Sequence, residues 1–134
     1  MLSIFCAPSR YVQGREATYS LGQEMAKLGL SGPVLIVAGK SAKRHLEAAW
    51  KETFKKAEIE YEIFEFAGEC SQAEIARAKT AAENFSAKTI VGAGGGKVLD
   101  TSRAVAAELD LPAVNCPTAA SSDAPCSALS VVYT

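Results

Sequence analysis

The sequence predicts an α/β fold: an open, mostly parallel sheet with helices on both faces. Three observations carry that expectation. Pro33 to Ala38 (P-V-L-I-V-A) is a continuous apolar run rich in β-branched residues, as a strand buried on both faces requires. From Val34 onward the patterns alternate as strand, helix, strand, helix, strand, helix, strand, and their short crossovers suit parallel pairing. Thr89 to Asp100 (T-I-V-G-A-G-G-G-K-V-L-D) runs from apolar residues through four glycines within five residues into a helical pattern at Val98, Leu99, Ser102, Val105, Ala106 and Leu109. The expected core is Val34, Leu35, Ile36, Trp50, Ile90, Val91, Val105 and Leu109.

Taken in order, Leu2 to Cys6 is a short strand candidate, and Tyr11-Val12 is a second extended piece before Gly14. Ala17, Leu21, Met25 and Leu28 recur at helical spacing, so Arg15 to Leu28 reads as a helix closed by Gly29 and Gly32. After the strand ending at Gly39, a helix from about Ser41 sets Leu46, Trp50, Phe54 and Ala57 on one side, with a charged and solvated remainder. Ile59 to Phe66 sets apolar residues against Glu60, Glu62 and Glu65, with Phe64 on the opposite parity, which predicts a strand with one exposed face near the sheet edge. Ser71 and Glu74 stand at capping-box spacing before a helix that turns Ile75, Ala78, Ala82 and Phe85 inward. Leu111 to Cys116 is the last parallel strand.

Ligands of such sheets sit at the carboxyl ends of the strands, where Gly39, Gly68, Gly92 and Pro117 place four loops on one rim. Gly92, Gly94, Gly95 and Gly96 bring bare backbone N–H groups to a helix start, where unsatisfied donors and the helix dipole favour a phosphate. A plain tight turn is the competing reading. Two named motifs are excluded: the last glycine of G-x-G-x-x-G falls on Lys97, and a P-loop would need glycine at Val91 and Ser or Thr at Val98.

At 134 residues, with 49% apolar and 22% charged residues, one globular domain is expected. Fourteen basic against fifteen acidic residues leave a net charge of −1 and give no electrostatic case for nucleic acid or an anionic membrane. Without a long apolar run or a leader pattern, a cytoplasmic location is expected. Cys6, Cys70, Cys116 and Cys126 never form C-x-x-C, so four reduced thiols are the default. His45 is the single histidine, which excludes the ligand clustering of a zinc site within the chain.

Pro117 to Thr134 is small and polar up to Ser127, a composition that suits sugar or phosphate contacts and equally an ordinary surface loop. Ser121, Ser122 and Asp123 have no histidine to complete a hydrolytic site, since His45 begins a helix elsewhere. The segment ends at Tyr133-Thr134 in what reads as the outward arm of a hairpin, so the expected domain, residues 1–134, is a dinucleotide-binding one cut within that hairpin.

Gly94 to Thr101 (G-G-G-K-V-L-D-T), Leu111-Pro112, Pro117 to Thr134 (P-T-A-A-S-S-D-A-P-C-S-A-L-S-V-V-Y-T), Tyr11 to Gly14 and Gly68 to Ser71 together resemble the nucleotide-binding half of a glycerol dehydrogenase of the iron-containing alcohol dehydrogenase superfamily. The resemblance implies a Rossmann-like sheet and a following helical domain that is absent from this chain. It also implies NAD as cofactor, with NADP possible, and zinc or another divalent metal held by an aspartate and two histidines of that helical domain. It further implies that Gly94, Gly95, Gly96, Lys97, Val98 and Asp100 belong to the turn that holds the pyrophosphate and that Thr118, Ser121, Ser127, Leu129, Val131 and Tyr133 line the nucleotide cleft. By the same resemblance Asp123 is expected to contact the polyol. No catalytic or metal-holding residue falls within the chain, so it is expected to be inactive alone, and the complete enzyme is expected to be a homo-oligomer that oxidises glycerol to dihydroxyacetone.

One departure stands out. Glycerol dehydrogenases commonly place an aspartate at the position of Gly39, where it would contact the adenosine ribose, and here Lys40, Ser41, Lys43 and Arg44 follow instead. Gly39-Lys40 also resembles hydroxy-acid dehydrogenases of the superfamily, which makes reduction of a small 2-oxo acid with NADPH the second reading. A non-catalytic nucleotide-binding module is the third.

Overall fold

A computed structural model describes residues 10–13, 21–27, 29–30, 32–117 and 128–132. The described elements are β1 (Arg10–Gln13), α1 (Leu21–Lys27), β2 (Val34–Ala38), α2 (Lys40–Ala57), β3 (Tyr61–Glu65), α3 (Gln72–Phe85), β4 (Thr89–Gly94), α4 (Gly96–Leu109), β5 (Ala113–Pro117) and β6 (Ala128–Val132). The six strands lie in the order β1-β6-β5-β4-β2-β3. Strands β3, β2, β4 and β5 are parallel, whereas β6 runs antiparallel between β5 and β1. The expected open, mostly parallel Rossmann-like sheet is the architecture found.

All five residues of β2 are buried because the strand's alternate side chains enter two separate cores. Val34, Ile36 and Ala38 meet Leu21 and Met25 of α1 and Leu46, Trp50 and Phe54 of α2 on one face. Leu35 and Val37 meet Ile75, Ala78 and Ala82 of α3 and Val98, Val105 and Ala106 of α4 on the other. Each large side chain fully removed from water contributes roughly 1.5–3 kcal/mol, so the two-sided run holds the sheet's centre. Seven of the eight expected core residues have no exposed surface, while Leu109, in the last turn of α4, is only partly buried.

Edge strand β3 departs from the one-sided strand expected of it. Tyr61 and Ile63 pack toward α2 while Phe64 is buried against the α3 side, so apolar residues cover part of both faces. Strand β6 is paired along both edges, with β5 and with β1.

Helices α2, α3 and α4 all stop at a non-glycine residue in the left-handed region: Glu58, Ser86 and Asp110, with φ of 58°, 58° and 57°. In each case the next residue, Ile59, Ala87 or Leu111, donates its N–H to a carbonyl five residues back (Phe54, Ala82 or Ala106). This Schellman-type closure satisfies the last carbonyls and sends the chain directly into the next strand. It also explains why Leu111 lies outside β5, which starts at Ala113.

Candidate functional site

The register places the ends of the parallel strands in one row. Ala38 of β2 lies opposite both Glu65 of β3 and Ala93 of β4, and Ala93 lies opposite Cys116 of β5. The next residues, Gly39 and Gly94, therefore stand side by side on the carboxyl rim, with Pro117 opposite Gly94. Two helices begin there. Gly39 is the N-cap of α2 and Gly95 the N-cap of α4; neither cap carries a side-chain hydrogen bond, and neither helix has an acid in its first turn.

The four glycines of the sequence motif divide by task. Gly92 lies inside β4, which runs two residues further than a turn at Gly92 allows. A Cβ there would stand 2.1 Å from Oγ of Ser102, so this glycine admits α4 against the strand and presents nothing to a ligand. Gly94 has φ of +147° and packs beneath Val98, making the sharp exit that few other residues tolerate. Gly95 and Gly96 are exposed, and a Cβ on either meets nothing within 4 Å. The open space therefore lies over the helix start, as a phosphate-sized group requires.

The first intrahelical bond of α4 is Leu99 N–H to Gly95 O at 3.1 Å, so the N–H groups of Gly96, Lys97 and Val98 precede the ladder. Lys97 is exposed and its Nζ lies 3.0 Å from Oε2 of Glu69 in the β3–α3 loop. Val98 is buried in the α3–α4 core, leaving its backbone N–H as its contribution to a ligand. Asp100 is exposed and paired with Arg103. Leu129 and Val131 lie in β6, opposite Val12 and Arg10 of β1. Thr118, Ser121, Asp123, Ser127 and Tyr133 lie outside the described residues.

Beside Gly39, between the starts of α2 and α3, is a cleft of about 640 Å³ lined by Gly39, Lys40, Glu65, Phe66, Gly68 and Arg77. Lys40 is the cation of the predicted basic group that reaches it, since Lys43 and Arg44 are not among the lining residues. Glu65 and Arg77 were not expected there. Glu65 read as a solvent-facing strand residue, and only the pairing of β3 with β2 brings it to the rim. Arg77 is held in plane by Glu74 through Nε at 3.0 Å and Nη2 at 2.8 Å, and it lies 4.3 Å over the Phe64 ring.

The capping box is half formed. Ser71 Oγ accepts the Glu74 N–H at 3.1 Å, but the Glu74 carboxylate accepts from Ala67 N–H at 2.7 Å and from Arg77 rather than returning to its cap. Hydrogen bonding from Arg77 holds this carboxyl below the usual glutamate range, outweighing the opposing effect of its burial. The loop that walls the cleft is thus pinned by a nearly buried acid.

Cysteine spacing misled at one position: Cys70 is free and exposed, but Cys116 is disulfide-bonded. Sequence spacing tests only local motifs, whereas pairing depends on which strands the fold makes neighbours. Among the described residues no group of three His, Cys, Asp or Glu side chains is arranged to hold a metal, and no helix is long and apolar enough to cross a membrane.

The model of the family described as iron-containing alcohol dehydrogenase matches residues 8–134. A glycerol dehydrogenase of Escherichia coli is 41% identical over 131 residues, covering 98% of this chain and 35% of that protein. A glycolaldehyde reductase of Halobacterium salinarum is 41% identical over 133 residues, covering 99% of this chain and 36% of its own length. The crystal structure of a probable glycerol dehydrogenase from Sinorhizobium meliloti superimposes with a TM-score of 0.71 at 30% identity, over 89% of this chain and 31% of that one. The chain thus spans about a third of the length of the curated relatives it matches. A family match reaching from residue 8 to residue 134, on a sheet whose adjacent parallel strands β2 and β4 lead into glycine-capped helices, makes this chain a member of the iron-containing alcohol dehydrogenase family.

Proposed function

We propose that this chain is the nucleotide-binding part of an NAD-dependent dehydrogenase of glycerol or a similarly small polyol. The observation that carries the reading is the pair of uncapped glycine N-termini on adjacent parallel strands, Gly39 after β2 and Gly95 after β4. Two helix starts side by side offer two sets of backbone donors and two positive dipole ends, which suits the pyrophosphate and ribose of a dinucleotide better than a single phosphate. A bound NAD would supply the hydride acceptor for oxidation of the alcohol's secondary carbon, the hydroxyl proton leaving to solvent. This chain's own contribution is orientation: Gly95 and Gly96 admit the pyrophosphate to within hydrogen-bond reach, and Lys97 stands at the same helix start as a positive charge. The metal implied by the resemblance finds no ligand set among the described residues, so no step is assigned to it.

The relatives support the substrate class, since the proteins matched in Escherichia coli and Halobacterium salinarum are a glycerol dehydrogenase and a glycolaldehyde reductase. Asp123 is proposed as the polyol contact, and Thr118, Ser121, Ser127, Leu129, Val131 and Tyr133 as the remaining wall of the cleft. A second reading, reduction of a small 2-oxo acid with NADPH, is favoured by the Gly39-Lys40 pair beside the cleft.

The test is Gly95→Val. Because a Cβ at Gly95 meets nothing and φ there is −85°, the variant should keep the circular dichroism of the parent. Its side chain would occupy the space of the pyrophosphate oxygens, and calorimetric titration with NAD should show a loss of affinity on the order of 100-fold or more, about 2.7 kcal/mol. Unchanged affinity would remove the glycine turn from the site.

A further inference from the structure

We propose that Glu65, the last residue of β3, supplies the carboxylate that recognises the adenosine ribose, in place of an acid at the end of β2. The inference rests on the dinucleotide reading and adds the residue that sets selectivity between the two forms of the cofactor. NAD-binding α/β sheets hold the ribose hydroxyls with an acidic side chain near the glycine turn, and that charge repels the 2'-phosphate of NADP. In this chain the end of β2 is Gly39, which has no side chain to offer.

The neighbouring strand fills the gap. Glu65 is the register partner of Ala38, so it stands level with the residue immediately before Gly39. It lines the same cleft as Gly39 and Lys40. Its strand parity is that of Tyr61 and Ile63, which pack against the α2 side of the sheet, so its side chain belongs to the face on which α2 begins. Glu65 is exposed, and its carboxylate has no hydrogen bond or close ion pair among the described residues; Arg77 donates to its backbone carbonyl at 3.1 Å and feels the carboxylate's charge from farther off.

The charges around the cleft sharpen the assignment. Arg77 is neutralised by Glu74, which is only 7% exposed and accepts two of its N–H groups. Glu65, whose charge also acts on Arg77, and Lys40 thus line the cleft with opposite charges, one suited to ribose hydroxyls and one to phosphate oxygens. Removing one or the other should therefore move cofactor preference in opposite directions.

The experiment is calorimetric titration of the 134-residue chain with NAD and with NADP at one ionic strength, for the parent, Glu65→Gln and Lys40→Gln, with circular dichroism to verify folding. The parent is expected to bind NAD about fivefold or more tightly than NADP, and Glu65→Gln to lower that ratio by about tenfold, the effect of one charge-assisted contact. Lys40→Gln is expected to raise it. A ratio in folded Glu65→Gln within about twofold of the parent's, with both dinucleotides still bound, overturns the ribose role and leaves the dinucleotide reading standing. A parent that prefers NADP overturns it equally. Failure of the parent to bind either dinucleotide overturns the dinucleotide reading, and the role of Glu65 with it.

Discussion

Helices α3 and α4 cover the same face of the sheet and begin at the same rim, but their first turns are built in opposite ways. At α3 the donors and the dipole are met from within the chain: Ser71 caps, and the Glu74 carboxylate lies in the first turn with Arg77 and Ala67 on its oxygens. At α4 the cap is the bare Gly95 and no acid occupies the first turn, whose Lys97 is paired with Glu69 of the β3–α3 loop. An absent side-chain cap costs helix stability, typically about 1 kcal/mol against Ala and only a few tenths when glycine takes its place. Position in the sheet decides which helix leaves its start open. Helix α3 follows the edge strand β3, while α4 and the similarly open α2 follow β4 and β2, the two adjacent inner strands of the parallel part, where a ligand can lie across both helix starts. An uncapped helix is informative here because its neighbour shows that the chain can supply a cap.

The largest effect is expected from giving α4 the chemistry of α3. Gly95→Asp places a carboxylate where the phosphate is proposed to sit, so calorimetry should show NAD affinity falling by about 100-fold or more while urea denaturation shows stability unchanged or raised by a few tenths of a kcal/mol. A variant that binds NAD like the parent would erase the functional distinction between the two helix starts. The next effect belongs to the glycine that is not part of the cradle. Gly92→Ala drives a methyl into Oγ and Cβ of Ser102, and urea denaturation should register a loss of about 2–3 kcal/mol, with affinity per folded molecule nearly unchanged. Loss of affinity without loss of stability would place Gly92 in the site after all.

The smallest effect concerns the closed helix start. Glu74→Gln removes the charge from Arg77 and should cost about 1–2 kcal/mol in urea denaturation near neutral pH. Because the folded carboxyl of Glu74 titrates below its unfolded counterpart, its stabilisation is present above the ordinary glutamate range and disappears as pH falls through the lower, folded value. Denaturation curves across that acid range should therefore converge for parent and variant. A difference that persists at the acid end would assign the effect to packing.

The parallel core was legible because β2, and β4 after Thr89, show no polar residue, and only burial on two sides accounts for that. The start of α3 was legible at Ser71 because capping is local. What escaped depended on neighbours remote in sequence. Gly92 could not be separated from Gly94 to Gly96 until Ser102 of α4 was seen packed over it. Glu65 read as a surface residue until β3 was paired with β2. Three helices end where their apolar patterns do, at Ala57, Phe85 and Leu109, but their closure escaped for another reason: Glu58, Ser86 and Asp110 adopt a conformation for which glycine is the usual signal, and the hydrophobic residue after each compensates. The polar segment from Thr118 to Ser127 was singled out by composition and resemblance, and its side chains lie outside the described residues.

The placing of β6 between β5 and β1 has a kinetic consequence. Among the described strands β1 pairs with β6 alone, so Arg10–Gln13 waits for residues more than a hundred positions later before it can join them. During synthesis the four parallel strands can collapse around their two cores while β1, already made, stays unpaired. The edge is then completed in one late event that joins both strands. Once formed, the connection is serial: whatever opens β6 releases β1 as well, and the amides of the first strand can be no better protected than those of the last.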